Sequence, residues 1–343
     1  MEVNISQIKW RSMWNKCMGK HIWIKIAATG IGLWLLYASI QQVSWVDLVQ
    51  LFKNAGWVLL LTVFVYPIAS ICHALALRAL IPRDDRSKIR FIDIYTIRMI
   101  GDALNKVTPF VDLGGEPLKV YLLSQKKLTS LSQAVVAVWM SKIGFVASEI
   151  VFILLGWLGL HLYYPNYSLN WVIWTGLIIS LIYLAILVLA QKNGAIRVVP
   201  KLIKKINLDH EDSQWQEADK GLKLFFSTRS MDAAISFGWQ FLGWVLALFE
   251  VLIAFRILGL EITLGQAFIF QSILQVIKTA SFMIPGNLGA QEKGLAMLAI
   301  HLGYSATDGF ILSAIKRFRQ FVWVVGGLIL WKRFNSSKHN DSP

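Results

Sequence analysis

Lys316, Arg317 and Arg319 stand within four residues of one another in Phe310–Trp331, a stretch that is otherwise almost wholly apolar. Burying one ionisable side chain at the centre of a bilayer costs about 3 kcal/mol on insertion scales, so three together need an anionic counterpart. A guanidinium grips phosphate or carboxylate through two parallel hydrogen bonds, and an ammonium acts as a point charge. Two chemistries are open: capture of an anionic head group, or internal pairing with Glu116, Glu149 or Glu292. Lys316, Arg319 and Trp323 share one helical face by their spacing. Lys142 and Glu149 also share a face of their segment, but they lie about 10 Å apart along a helix axis. Each therefore needs a partner on another element or water in a cavity.

Two further strings bear on chemistry through the backbone. The first runs Thr108-Pro109-Phe110-Val111-Asp112-Leu113-Gly114-Gly115-Glu116-Pro117 and the second Ile284-Pro285-Gly286-Asn287-Leu288-Gly289-Ala290-Gln291-Glu292. Each places Pro, then Leu-Gly, then Glu. Gly114, Gly115, Gly286 and Gly289 permit turns closed to other residues and let main-chain N–H groups approach an anion, as at helix starts. Glu116 and Glu292 sit where a carboxylate caps a helix; they are equally placed to take a proton or a cationic head group. Upstream, Arg98, Asp102 and Asn105 follow i, i+4, i+7 spacing, as do Gln271, Gln275 and Lys278, so each triple forms a polar stripe.

The elements that must position these residues are set by the bilayer. Of the 343 residues 56% are hydrophobic and only 16% charged, against about 25% charged in soluble domains. Six segments reach the roughly 20 apolar residues a spanning helix needs: Ile22–Ile40, Trp57–Leu80, Leu131–Leu160, Leu169–Ala190, Ala233–Leu258 and Phe310–Trp331. With the N-terminus inside, segments 1–21, 82–90, 191–230 and 332–343 carry 19 Lys and Arg, and the outer connections carry one, Lys53. This asymmetry is the positive-inside signature. It accounts for the net charge of +14 without nucleic acid as a partner. The run Ile22–Ile40 is too long for a signal-peptide core and reads as an uncleaved first helix.

The stretches 91–123 and 265–302 each begin and end on one side of this scheme, are apolar, and break at Pro and Gly. They read as re-entrant helical hairpins entering from opposite faces. Broken backbone at membrane depth is tolerated only when packed in protein or facing a watery cavity. The expected fold is an all-α membrane protein with about six transmembrane helices plus two re-entrant hairpins in an inverted-repeat arrangement, both termini cytoplasmic. The membrane domain covers 22–331, between a basic N-terminus, 1–21, and a tail, 332–343, expected to be disordered. Within loop 191–230, Val199, Leu202, Ile203 and Ile206 are spaced for a short helix, either on an anionic lipid surface or packed on the bundle. Cys17 and Cys72 stand alone, the six His are scattered, and no metal, cofactor or hydrolase motif is present.

Asn105-x3-Pro109-x4-Gly114-Gly115-Glu116-Pro117-x-Lys119 resembles the first signature of the lysylphosphatidylglycerol synthase transmembrane region, the flippase-like domain family. Pro285-Gly286-x-Leu288-Gly289-x2-Glu292 resembles its second. The resemblance extends over about residues 20–332. With so few residues after the last span, the expectation is a stand-alone member without the family's aminoacyl-transferase domain, and synthase activity is not expected. Where the family often has an acidic-Arg pair followed by Asp, this chain has Ser141-Lys142-Ile143-Gly144-Phe145, which keeps a cation and loses the acids.

Spacing and resemblance together point to a translocator of an anionic or aminoacylated phospholipid, or of an isoprenoid- or hopanoid-type lipid, in a bacterial inner membrane. Its site would draw on Asn105, Pro109, Gly114, Gly115, Glu116, Lys119, Lys142, Glu149, Lys278, Pro285, Gly286, Gly289, Glu292, Lys316, Arg317 and Arg319. The rival expectations are a membrane-embedded enzyme of lipid or glycan synthesis and a non-catalytic subunit of such a pathway. Membrane lipids are the expected partners, with a lipid-synthesising enzyme encoded elsewhere or a second copy of the chain as further candidates.

Overall fold

A computed structural model of the chain describes residues 59–107, 114–125, 129–164, 170–192, 212–282 and 284–340, and among them there is no strand. In chain order the helices are α1 (Leu59–Ala79), α2 (Arg83–Arg86), α3 (Phe91–Val107), α4 (Glu116–Gln125), α5 (Leu131–Tyr163), α6 (Asn170–Lys192), α7 (Asp212–Thr228), α8 (Ser230–Leu246), α9 (Leu248–Ile257), α10 (Leu264–Ala280), α11 (Ala290–His301) and α12 (Ala306–Asn340). Leu60–Ala79, Leu131–Tyr163, Ile173–Gln191 and Ser230–Ile257 are long and apolar enough to cross a membrane. The last of these is α8 and α9 together, joined through Ala247, which keeps right-handed helical angles. The segment Phe310–Trp331 lies inside α12, whose three cations keep it apart from that set. Ile22–Ile40 lies outside the described residues.

Helix starts and stops follow local chemistry. Ser130 caps α5 by accepting from the Gln133 N–H, and Thr263 and Gln266 form a reciprocal capping box at α10. Such caps satisfy N–H groups that the helix itself leaves free. At the other end of α1, the Arg86 guanidinium donates to the carbonyls of Ala79 and Ile81 and lies 3.7 Å from Asp232, at the start of α8.

Two sets of helices repeat. α1, α3, α4 and α5 match α8–α9, α10, α11 and α12 in order, and corresponding helices start 171 to 175 residues apart. α3 and α10 are both 17 residues long, and α5 and α12 are 33 and 35. Packing repeats too. The arms of each predicted hairpin, α3 with α4 and α10 with α11, pack together; α4 lies on α5 and α11 on α12; and each first arm crosses to the long helix of the other set, α3 to α12 and α10 to α5. Glycine opens both crossings. A Cβ on Gly156 would lie 2.3 Å from the Ser272 Cβ, and one on Gly327 would lie 2.8 Å from the Met99 carbonyl oxygen. Both are closer than real contacts allow.

The apolar core divides accordingly into one cluster around α3, α4, α5 and α7 and a second around α9, α10, α11 and α12. Two features depart from the expectations above. The loop 191–230 contains α7, whose Trp215, Ala218, Leu222 and Phe225 are buried where it packs on α5 and α6. The amphipathic stretch around Val199–Ile206 is outside the described residues. The tail is not irregular from residue 332, because the α12 backbone stays helical to Asn340.

Candidate functional site

The first polar stripe becomes an ion-pair chain. On α3, Arg98 Nη2 lies 2.8 Å from Asp102 Oδ2; from α4, Lys119 Nζ reaches Asp102 Oδ1 at 3.0 Å and Glu116 Oε1 at 3.1 Å. Asn105 holds the turn. Its Oδ1 accepts from the Gly115 N–H at 2.6 Å, and its Nδ2 donates to Glu116 Oε1 at 3.2 Å. Gly115 is required here by space: a Cβ would come within 1.9 Å of the Gly101 carbonyl oxygen. The two arms touch backbone to backbone, and that contact lets short Asn and Asp side chains reach across. Gly114 starts the turn into α4. Pro109 lies outside the described residues.

The second hairpin is braced differently. Its turn uses left-handed backbone at Gly286, Asn287 and Gly289, with φ of 62°, 54° and 75°. Asn287 is held there by its side-chain amide, which donates to the carbonyls of Lys278 and Ser281 and to Ser281 Oγ. Pro285 opens the turn. Arg317 of α12 clamps it, donating from Nη1 to the Gly286 carbonyl at 3.0 Å, from Nη2 to the Asn287 carbonyl at 3.2 Å, and from Nε and Nη2 to the Glu292 carboxylate. Glu292 also accepts from the Gly289 N–H at 2.8 Å and from Ser313 Oγ at 3.1 Å. It is therefore a helix cap and an ion-pair partner at once.

Beside this clamp is a second charged group with an unequal count. Lys316 Nζ is 2.8 Å from Glu250 Oε2 and donates to Gln271 Oε1 at 2.8 Å. Arg319 Nε lies 2.5 Å from Glu250 Oε1, but that contact is not aligned as a hydrogen bond, and both atoms lack one. The two groups are close charges rather than a hydrogen-bonded pair. The Arg319 guanidinium stands 5.0 Å from the centre of the Tyr66 ring, on α1. Lys278 lies two turns along α10 from Gln271 on the same stripe, within electrostatic range of Lys316, Arg319 and Glu250.

The two groups meet at the junction of the repeats. Tyr66 is within electrostatic range of Arg98, Asp102 and Lys106 from the first and of Arg319 from the second. Lys106, at the end of α3, likewise acts on Lys278 near the end of α10. Pro67 follows Tyr66 inside α1 and lacks the N–H that would bond the Val63 carbonyl. Trp323 Nε1 of α12 donates to that carbonyl instead, at 2.7 Å.

Lys142 is buried in another setting, 5.2 Å from the Phe145 ring centre and 5.9 Å from that of Tyr183, and Glu149 is half-buried further along α5. Glu116 and Glu292 are each engaged by a cation of their own repeat. Of the carboxylates expected to pair with the α12 cations, Glu292 does so. Glu250, the acid shared by Lys316 and Arg319, was not anticipated, though a lone carboxylate in a long apolar span is itself a signal. Tyr66 and His73 also escaped notice. His73 hydrogen-bonds Gln240 and packs against Phe145 and Trp244, while Gln240 donates to Ser141 Oγ at 3.2 Å, forming a polar seam between α1, α8 and α5.

A helical membrane protein built from two similar units, with charged clusters buried where they meet, is the class this architecture defines. The chain belongs to the family described as the lysylphosphatidylglycerol synthase TM region, whose model matches residues 22–328. It is similar to a UPF0104 membrane protein of Methanothermobacter thermautotrophicus, 23% identical over 254 residues, covering 68% of this chain and 72% of that protein. No solved structure matches the chain.

Proposed function

We propose that the protein is a lipid translocator in a cell membrane, bacterial inner membrane being the setting its charge distribution fits. The observation that carries this reading is the approach of two charged groups, one from each repeat: Arg98 and Asp102 on α3, and Lys316 and Arg319 on α12, which packs on α3, with the Arg319 guanidinium 5.0 Å from the centre of the Tyr66 ring. Transporters built from inverted repeats place substrate where the repeats meet, using broken helices. Both broken helices of this chain contribute to the groups around that junction. The hairpins, re-entrant from opposite leaflets, frame a polar path open sideways to the bilayer. A head group sits among Lys278, Lys316 and Arg319, with Glu116 and Lys119 on the opposite side, while the lipid tail remains in the hydrocarbon. Rocking of one repeat against the other presents the site to each leaflet in turn. Asn105, Arg317 and Glu292 hold the turns rather than the ligand.

The test is reconstitution into liposomes with a leaflet-specific lipid readout. Wild-type protein moves a lipid class between leaflets faster than Arg319→Ala or Lys278→Ala of equal folded content. Equal rates for all three, or rates no higher than protein-free vesicles, refute translocation. Conversion of lipid in the presence of an activated donor would instead favour the enzyme reading, and activity appearing only with a co-purifying enzyme the subunit reading.

A further inference from the structure

The two charged groups at the junction are not equivalent. In the first, Arg98 and Lys119 balance Asp102 and Glu116, and all four are paired within hydrogen-bonding distance. In the second, Arg317 is matched by Glu292, but Lys316 and Arg319 share the single carboxylate of Glu250, and Lys278 stands on the same α10 stripe as Gln271, the partner of Lys316, with its carbonyl bonded by Asn287, which Arg317 also holds. Among the described residues two positive charges are left over. They belong to side chains with unspent donors: among the described residues the Lys278 ammonium makes no hydrogen bond or ion pair, and the Arg319 guanidinium makes no hydrogen bond, Nε being buried without one. Glu250 and Lys316 beside them are 3% and 2% exposed, whereas Lys278 and Arg319 are themselves partly exposed, which leaves their donors open to an incoming ligand.

A surplus of this size next to a carboxylate already in use is built for an anion. The ligand must carry charge that the described residues lack, accept hydrogen bonds from an ammonium and a planar guanidinium, and be small enough to stand between α1, α10 and α12. We propose that Lys278, Lys316 and Arg319 form a subsite for a phosphate carrying two negative charges, and that the preferred lipid is a phosphomonoester rather than a phosphodiester or a zwitterion. The inference rests on the translocator reading for its lipid source; the anion chemistry itself does not depend on it. A phosphomonoester brings nearly two charges near neutral pH and three strong acceptor oxygens. A guanidinium takes two of these in parallel, and an ammonium takes the third as a point charge. A phosphodiester supplies one charge and leaves one cation uncompensated. A head group carrying its own ammonium brings a further cation to a place that already has too many.

Full-length protein in phosphatidylcholine nanodiscs, doped with phosphatidate or phosphatidylglycerol at matched mole fraction, tests this. Thermal stabilisation and lipid retention by native mass spectrometry are the readouts. Phosphatidate is expected to act at a roughly tenfold lower mole fraction than phosphatidylglycerol, as an added close charge pair implies. Lys278→Gln, which keeps length and polarity, is expected to abolish the difference while leaving the protein folded; Lys278→Arg is expected to keep it. Equal responses to the two lipids, or an unchanged preference in Lys278→Gln, overturn the subsite. Inorganic phosphate is the third arm. Stabilisation by free phosphate that matches phosphatidate would mean a soluble anion and overturn the lipid assignment. The same preparations are assayed for translocation. Transport without a phosphatidate preference removes the subsite and leaves the translocator; a preference without transport of any lipid does the reverse.

Discussion

Replacing Glu250 with glutamine keeps the shape of the side chain and removes the one negative charge that Lys316 and Arg319 share. At 2.8 Å, the Lys316 contact is worth about 6 kcal/mol by Coulomb's law at an effective dielectric of about 20. Much of that offsets the desolvation of the two groups, so the net worth of the pair is small. Deleting one partner is different, because the other stays buried and uncompensated; this costs about 3–5 kcal/mol in protein interiors. The Lys316 amine keeps the Gln271 oxygen at 2.8 Å, which places the loss at the lower end, about 3 kcal/mol. The assay is equilibrium denaturation of the detergent-purified protein, followed by the fluorescence of its 15 Trp residues. Glu250→Gln with Lys316→Met removes the uncompensated ammonium and is expected to recover more than half of the loss. A single variant within about 0.5 kcal/mol of wild type, the range of an inert surface change, would refute the argument. A double variant no more stable than the single one would refute it equally, since the cost would then not come from the stranded cation.

Three further substitutions separate packing from charge. Gly115→Ala forces the α3 and α4 backbones apart, since the new Cβ would meet the Gly101 oxygen at 1.9 Å; folded yield in detergent is expected to fall sharply, while Gly265→Ala, whose nearest neighbour is 4.0 Å away, is expected to leave it unchanged. Trp323→Phe strands the Val63 carbonyl freed by Pro67, a loss of about 1–3 kcal/mol by the same denaturation assay, and Pro67→Ala, which restores the helical partner, is expected to reduce that loss. Asn105→Ala removes both the Gly115 and the Glu116 contacts, and is expected to raise hydrogen–deuterium exchange at residues 114–120 with little change in the second hairpin.

Periodicity and helix-breaking residues made the all-helical character and several helix ends legible. The stretches 91–123 and 265–302 each hold two helices parted by Pro and Gly, because those residues leave little choice about where a helix stops. The polar stripes were legible for the same reason, since i, i+4, i+7 spacing fixes a face whatever lies opposite. Partners were not legible. Nothing in the sequence around Glu250 says that it faces Lys316, 66 residues away; that follows from α9, α10 and α12 packing together. α7 could have been found. Trp215, Ala218, Leu222 and Phe225 have helical spacing, but the surrounding Lys, Asp and Glu gave it the polarity of a loop. The helical tail escaped because a polar composition says little about a helix that simply continues from an apolar one.

The duplicated architecture and the unequal charges bear on each other. If both repeats served only to hold the bundle together, symmetric helices would best be filled by similar polar pairs, and the first repeat shows that a balanced set of four is attainable there. The second repeat has the same helices, the same glycine-opened crossing and the same stripe, yet Gln271 and Gln275 stand where Arg98 and Asp102 would correspond, and Lys278 where Asn105 would. The acid of the stripe is missing and a lysine has been added. That change raises the cost of folding, because surplus charge held even partly out of water is expensive. A bound anion offsets that cost by supplying the missing charge. The hinge-like feature at the same place, a proline-interrupted α1 latched to α12 by Trp323 one turn from Arg319, puts a helix with a weakened hydrogen-bond ladder in contact with the side chain that would feel the anion arrive and leave.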